Sequence, residues 1–259
     1  TQAIFLAQFE SLTAASERFV VDHDIATVPQ PTTLYVALSP AHFSGAAVGG
    51  VYPSGPFDPR ADTLFYVPSV PDDAPAQTRK GFYRSFNDHF NAMIISHEMF
   101  PGHYLQYKVA VSEAPALRSL FSTGAYIEGW GLYAEQLGPQ VGLYRDPYQR
   151  LGQLGSELFR AKRLVVDTGI HALGWTHEQA LSYLGSEVEV NRYIVMPGQA
   201  LAYKIGELKI VELRDRAMER LGDDFDLRAF HDEILTDGAL PLDVLEVKID
   251  GWIEARASD

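Results

Sequence analysis

Two histidines and a glutamate lie close together between residues 95 and 103. His97 is followed directly by Glu98, and a second histidine, His103, comes six residues after the first. In the common zinc-hydrolase helix, two histidines four residues apart bind the ion and a glutamate beside the first histidine acts as general base. Here Pro101 occupies the position of the expected second histidine. The residue types indicate a metal site, but the spacing does not fit a regular helix.

The two extra residues change the predicted backbone. On a regular helix, six residues at about 100° each would turn His103 roughly 120° away from the face of His97. Pro101 lacks an N–H and clashes with the preceding turn, and Gly102 tolerates unusual backbone angles. We therefore predict a distorted, widened turn at residues 99–102 that brings both imidazoles back to one ion.

A third ligand is expected from another helix, and Glu128 is the best candidate. Glu135 follows seven residues later and shares its helical face. Gly129 and Gly131 would let this helix pack close to its neighbour. We predict Glu128 as the metal ligand and Glu135 as a residue that holds a ligand in place.

A histidine followed by a glutamate is weak evidence by itself, because most such pairs are structural or exposed. His177-Glu178 is an example, since it opens a predicted helix and has no second histidine nearby. The pair at residues 97 and 98 differs because it precedes a Pro-Gly break, a second histidine and a downstream acid. Metal binding is the favoured interpretation for that reason.

Further polar residues are candidates for catalysis and substrate binding. Tyr203 follows the Pro197-Gly198 turn and is expected to donate to the oxygen that becomes negative during acyl transfer. Arg192 and Tyr193 lie just before the turn, where the arginine fork would suit a substrate carboxylate.

Arg163, Asp167 and His171 form a polar stripe at four-residue spacing on an otherwise apolar helix. One interpretation is a buried ion-pair ladder. The other places His171 at the cleft as a substrate-binding residue that Asp167 orients. The strand from Tyr35 to Leu38 is either an exposed edge that pairs with an extended peptide or an ordinary sheet edge.

Composition excludes several classes of partner and chemistry. The 259 residues carry a formal net charge of -13, which disfavours nucleic acid and anionic membranes. No apolar stretch is long enough to span a bilayer, so membrane insertion is not expected. The sequence has no cysteine, which excludes disulfides and thiolate zinc ligands. It begins with Thr1 and shows no signal segment, so we expect a processed or truncated product and favour the cytoplasm as its compartment.

The secondary-structure elements that position these residues are predicted to be mainly helical with a small sheet, so the fold class is mainly α (α+β). Residues 1–22 form an amphipathic helix, and residues 28–80 are rich in prolines and contain two or three strands, including 33–38 and 63–67. Residues 81–259 form the helical body of one domain covering 1–259. The helices predicted in this body cover about 85–111, 115–139, 146–172, 177–189, 199–221, 227–236 and 241–256.

Three motifs resemble a bacterial family known as domain of unknown function 885, whose members are zincin-like relatives of helical metallopeptidases. The motifs are His97-Glu98-x-x-Pro101-Gly102-His103-x-x-Gln106, Glu128-Gly129-Trp130-x-Leu132-Tyr133-Ala134-Glu135 and Pro197-Gly198-Gln199-Ala200-Leu201-Ala202-Tyr203-Lys204-Ile205-Gly206. They span most of residues 81–215 in the right order.

The resemblance implies a mostly helical zincin-like fold, with His97, His103 and Glu128 as zinc ligands and Glu98 as general base. This sequence departs from the pattern at Tyr104, where a second adjacent histidine is common, and at Gly131, where alanine is common. Members are usually longer, with a helical half before this region. The chain therefore looks like the C-terminal, metal-bearing half, with a missing N-terminal half as a partner.

These observations lead to the expectation of a zinc-dependent hydrolase, most simply a metallopeptidase that acts on a peptide or small amide. Two histidines and one glutamate also accept manganese or cobalt. One alternative is a metallohydrolase that cleaves a non-peptide amide or ester. The other is a helical interaction module with a structural metal or none.

Overall fold

The computed structural model describes residues 1–40, 49–55, 58 and 61–258. It confirms the prediction of a mainly α protein with a small sheet. The elements are α1 (Gln2–Asp22), β1 (Leu34–Leu38), β2 (Gly50–Tyr52), β3 (Thr63–Val67), α2 (Ala76–Ser85), α3 (Asp88–Glu98), α4 (His103–Glu113), α5 (Gly124–Val141), α6 (Pro147–Ala172), α7 (His177–Leu184), α8 (Glu187–Val195), α9 (Gln199–Leu221), α10 (Leu227–Leu235) and α11 (Leu242–Ala257).

The sheet has the strand order β1-β3-β2. β1 runs parallel to β3 with Leu34 opposite Thr63, and β2 runs antiparallel to β3 with Gly50 opposite Tyr66. Phe65 of β3 is fully buried and belongs to the same apolar cluster as side chains from α1, α3 and α5. The sheet therefore covers one side of the helical body and shares its core.

The predicted single helix over 85–111 is wrong, because the chain forms two helices with a break between them. Asn87 starts α3 by accepting hydrogen bonds from the backbone of His89 and Phe90, both at 3.1 Å. α3 ends at Glu98, and α4 begins only at His103. Across the break, Leu105 N–H donates to the Met99 carbonyl six residues earlier at 3.3 Å, which is a wide turn. The distortion predicted at 99–102 is present, but it separates two helices instead of widening one.

Helices α5 and α9 cross at two glycines. A Cβ on Gly206 would lie 1.7 Å from the Ala125 carbonyl oxygen and 2.7 Å from the Gly129 Cα. Neither position has room for a side chain, so the backbones meet directly. This confirms the expectation that Gly129 permits close packing, and it fixes the position of Glu128 relative to the first turns of α9.

Three other predicted boundaries need correction. The helix expected over 115–139 begins only at Gly124, because a short 3₁₀ turn at Ala116–Leu120 is followed by extended backbone. The helix expected over 177–189 ends at Leu184, where Gly185 adopts a left-handed φ of +79°. Ser186 then caps the separate helix α8. Helix α2 lies partly inside the region 28–80 that was predicted to be strands and turns.

Among the residues that the structure describes, no helix combines the length and the apolar character needed to cross a bilayer.

Candidate metal centre

The three predicted ligands converge at the break between α3 and α4. One nitrogen each of His97 and His103 and one carboxylate oxygen of Glu128 lie within 4.8 Å of one another. Glu128 Oε2 is 3.3 Å from His103 Nε2 and 3.7 Å from His97 Nε2. Ligand atoms about 2.1 Å from a tetrahedral zinc ion lie roughly 3.4 Å apart. The two imidazoles and the carboxylate therefore have the chemistry and the spacing that a divalent ion requires.

The other nitrogen of each imidazole lies beside a side-chain oxygen. Glu135 Oε1 is 2.7 Å from His97 Nδ1, and Gln106 Oε1 is 3.3 Å from His103 Nδ1. Glu135 is fully buried, and its second oxygen accepts a hydrogen bond from Ser156 at 2.9 Å. Such partners fix the ring orientation and the tautomer that leaves Nε2 free for a metal. Glu135 thus lies where its predicted role requires.

The charges at the site are strongly coupled. Burial lowers the pKa of His97, but its contacts with Glu128 and Glu135 outweigh burial and raise it to about 10. Burial raises the pKa of Glu128, and the two histidines lower it well below its usual range. Two carboxylates thus favour a positive charge at this point, and a metal ion would supply one in place of the proton.

A glycine in α5 makes room for both imidazoles. A Cβ on Gly131 would lie 2.7 Å from His97 Cε1 and 2.9 Å from His103 Cε1. The break between α3 and α4 also requires a glycine, since a Cβ on Gly102 would lie 1.8 Å from the His97 carbonyl oxygen. Gly131 therefore lies under the two rings, which differs from the helix-packing role expected for it.

The site opens into a cavity of about 890 Å³. His97, Glu98, His103 and Glu128 all line it. Its other walls come from β2, α6, α8 and the start of α9. The cavity is therefore bordered by β2, whereas β1, for which peptide pairing was one of two interpretations, contributes none of the lining residues.

Tyr203 and Arg192 line the cavity as predicted. The Tyr203 ring is nearly parallel to the His97 ring, with an interplanar angle of 19° and ring centres 6.1 Å apart. The Tyr203 hydroxyl accepts a hydrogen bond from Gln199 Nε2 at 3.4 Å. Arg192 donates to Gln199 Oε1 at 2.7 Å and is partly exposed.

Three of the predicted substrate-side residues are not among those that line the cavity: Tyr193, His171 and Asp167. Tyr193 is 1% exposed. His171 Nε2 lies 2.9 Å from the backbone carbonyl oxygen of Tyr193. Asp167 accepts hydrogen bonds from the Gly198 N–H at 3.2 and 3.1 Å, so it holds the turn before α9 and does not orient His171. The expected ladder is also absent from the described contacts of Arg163, which pairs with Glu189 instead.

Arg160, Arg163 and Gln106 were not among the predicted site residues. Arg160 lies 3.2 Å from Glu135 and lines the cavity with Arg163. Gln106 could have been found, because it follows His103 by three residues on the same helical face. Arg163 was noted only as part of the polar stripe with Asp167 and His171, and Arg160 carried no signal, since α6 meets α3 and α5 only in the folded chain.

A family model described as "Bacterial protein of unknown function (DUF885)" matches residues 1–249 of the chain. The chain belongs to this family. A search of curated proteins finds no significant match.

Two solved structures resemble the DUF885 chain closely. One, described as "the putative lipoprotein from Colwellia psychrerythraea", shares 35% identity with a TM-score of 0.80 and aligns over 95% of this chain and 43% of its own. The other is described as "a putative lipoprotein of unknown function from Shewanella oneidensis". It shares 25% identity with a TM-score of 0.82 and aligns over 94% of this chain and 45% of its own. The chain thus spans less than half the length of these two relatives.

Proposed function

We propose that this chain is the metal-bearing part of a zinc-dependent hydrolase that cleaves peptide bonds. The proposal depends mainly on one observation. Nε2 of both His97 and His103 faces Glu128, while Nδ1 of each ring lies beside a side-chain oxygen acceptor. A buried structural histidine needs no such convergence on a cavity wall. The arrangement suits an ion that substrate and water can reach.

Glu98 is the proposed general base, because it lines the cavity beside the ligand His97. A divalent ion at this site would acidify water and polarise a carbonyl group. The Glu98 carboxylate would take the proton of the water that attacks the carbonyl carbon. When the C–N bond breaks, Glu98 would deliver that proton to the leaving nitrogen.

Tyr203 is the proposed donor to the carbonyl oxygen as negative charge develops there. Its ring lies against His97, and its hydroxyl oxygen accepts from Gln199 at 3.4 Å and interacts with the Arg163 guanidinium. Because both of these neighbours donate to the oxygen, the hydroxyl proton can point toward a substrate.

The test combines metal analysis with a mixed peptide digest, using the wild-type chain and Glu98→Gln. We expect the variant to keep its zinc and to lose peptide cleavage by about 10²- to 10⁴-fold, because a general base contributes on that order. Glu178→Gln is the matched control, since Glu178 is exposed in the first turn of α7. Full activity of Glu98→Gln would refute the assignment of the base.

A panel of non-peptide amides and esters separates the nearest alternative function, since water activation serves those bonds equally well. Cleavage of such substrates alone would replace the peptidase proposal. If neither class is cleaved and zinc is bound, an interaction module with a structural metal is the better description.

A further inference from the structure

Three arginines line the cavity of a chain whose net charge is -13. We name Arg160, Arg163 and Arg192 the arginine wall. Two carboxylates pair with these three guanidinium groups. Glu135 lies 3.2 Å from Arg160, and Glu189 lies 3.0 Å from Arg163 and 3.7 Å from Arg192. The wall thus holds three guanidinium groups against two carboxylates, while Glu98 and Glu128 line the part of the cavity beside His97 and His103.

Arg163 is the most constrained member of the arginine wall. It is only 5% exposed, and its Nε and Nη2 donate to the Tyr193 hydroxyl at 2.8 Å and to Glu189 at 3.0 Å. Its guanidinium carbon lies 5.0 Å from the centre of the Phe159 ring and 4.7 Å from the centre of the Tyr203 ring. The guanidinium plane is therefore held in position before any ligand arrives.

One donor of this fixed group lacks a partner. Arg163 Nη1 is buried, and among the described residues it has no partner at hydrogen-bonding geometry. A buried donor without an acceptor is costly, and a ligand oxygen would remove that cost. A carboxylate oxygen suits it best, because its negative charge makes the hydrogen bond from a guanidinium nitrogen stronger than one to a neutral acceptor.

Tyr203 connects the arginine wall to the metal centre. Its ring centre is 6.1 Å from that of His97 and 4.7 Å from the Arg163 guanidinium carbon. These contacts keep the His97 ring and the Arg163 guanidinium within about 11 Å of each other, the length of roughly three extended residues. A peptide with its carbonyl group at the metal centre would reach Arg163 with the first or second residue beyond the cleaved bond.

We propose that the arginine wall binds the free C-terminal carboxylate of a peptide, with Arg163 as the main contact and Arg192 at the partly exposed side. Resting on the proposed hydrolase function, this assigns the substrate class: peptides with a free C-terminus, which lose their last one or two residues. Tyr193 has a positioning role behind Arg163.

The first test is binding, which does not need turnover. An N-acetylated tripeptide, as the free acid and as the C-terminal amide, is titrated calorimetrically into zinc-loaded Glu98→Gln and into the metal-free wild-type chain. We expect the acid to bind about 10- to 100-fold more tightly, since a charge-assisted hydrogen bond is worth that much. Equal affinity for acid and amide would overturn the proposal.

Arg163→Gln, made in the Glu98→Gln background, should reduce the preference for the acid to less than about threefold. Arg192→Gln should reduce the preference for the acid partly. Because Arg192 is more exposed, this variant tests the wall even if Arg163→Gln does not fold. Arg220→Gln, exposed near the end of α9, is the matched control and should keep the full preference. A preference that survives Arg163→Gln would mean that the carboxylate binds elsewhere, for example to the zinc.

A third peptide, amidated at its C-terminus but carrying a glutamate as its last residue, distinguishes the source of the carboxylate. Binding as tight as that of the free acid would mean that the wall recognises acidic side chains, which contradicts the proposal.

Cleavage assays then separate the hydrolase proposal from the carboxylate-site proposal. A chain that prefers the acid but cleaves no peptide refutes the hydrolase alone, and one that cleaves acid and amide equally refutes the carboxylate site alone.

Discussion

At the scale of single residues, the site is defined by what lies behind the proposed metal ligands. The His97 ring is fixed between Glu128, which faces Nε2, and the fully buried Glu135, which faces Nδ1. Glu135 is itself held by Ser156 and by Arg160. Burial raises the pKa of Glu135, but the Arg160 charge and the contact with His97 keep it below its usual value, so the group is a carboxylate. A charged acceptor at Nδ1 makes the imidazole a stronger metal ligand.

Glu135→Gln is therefore expected to lower zinc affinity by about 10- to 100-fold, a range typical of residues that orient metal ligands. The amide keeps an acceptor for His97 but removes the negative charge. Competition with a chromogenic chelator measures the affinity. Glu254→Gln, exposed on α11, should leave it unchanged. If Glu135→Gln binds zinc as tightly as the wild-type chain, the contact at 2.7 Å has no role in metal binding.

At the scale of elements, the crossing of α5 and α9 places Glu128 and Tyr203 on the same cavity. Gly206→Ala tests how strongly the crossing is fixed, because its Cβ would lie 1.7 Å from the Ala125 carbonyl oxygen and only a backbone shift could relieve the clash. We expect a loss of about 2–4 kcal/mol in the free energy of unfolding, near the upper end for overpacking. Urea unfolding followed by circular dichroism measures it.

Gly251→Ala is the matched control for that prediction. Gly251 lies inside α11, and a Cβ there would meet no heavy atom within 4 Å. Since alanine is the better helix former, this variant should be about 0.5–1 kcal/mol more stable than the wild-type chain. If both variants have the same stability, the two helices do not meet as closely as the structure indicates.

Elements whose ends carry local signals were predictable from the sequence. α9 has the predicted bounds of 199–221, and Gly222 ends it. Other helix starts carry local signals of the same kind, since Thr176 and Gln179 form a capping box at the start of α7 and Asp226 caps α10. Local signals failed where the chain stops and restarts. Gly185 and Ser186 separate α7 from α8, and apolar periodicity continues across them.

The candidate site was predictable to the extent that its residues lie near one another in sequence or share a helical face. His97, Glu98 and His103 are local, and Glu128 and Glu135 share a face of one helix. The arginine wall depends on how α6 and α8 pack against α5 and α9, and no periodicity encodes that packing. Tyr193 was predicted to face the substrate, but it lies behind Arg163 because α8 turns it toward the interior.

At the scale of the whole molecule, a buried histidine joins the N-terminal segment to the helices that support the site. His231 of α10 is fully buried. Its Nδ1 lies 2.6 Å from the Ile25 carbonyl oxygen, which can only accept, so Nδ1 carries the proton. Nε2 then accepts from the Tyr133 hydroxyl of α5 at 2.8 Å. The neutral ring thus satisfies one acceptor and one donor from distant parts of the chain.

This neutral histidine should make the protein sensitive to acid. Burial and the nearby Arg214 charge lower the pKa of His231 to about 4, despite the hydrogen bond to Ile25. The unfolded chain takes up a proton near the ordinary pKa of about 6.5, whereas the folded chain does not until about pH 4. Stability from this group is therefore complete above about pH 6.5 and falls as the pH drops toward 4. Between pH 7.5 and 4.5 the loss should be roughly 2–3 kcal/mol.

His231→Gln isolates that contribution, because glutamine does not titrate. Urea unfolding of the wild-type chain and of the variant at pH 7.5, 5.5 and 4.5 gives two stability curves. At pH 7.5 the variant should be less stable, since its amide cannot reproduce both hydrogen bonds. The difference should shrink by about 2–3 kcal/mol on going to pH 4.5, because only the wild-type chain loses the histidine contribution. Parallel curves would mean that His231 titrates alike in both states, and that acid acts on the fold through other groups.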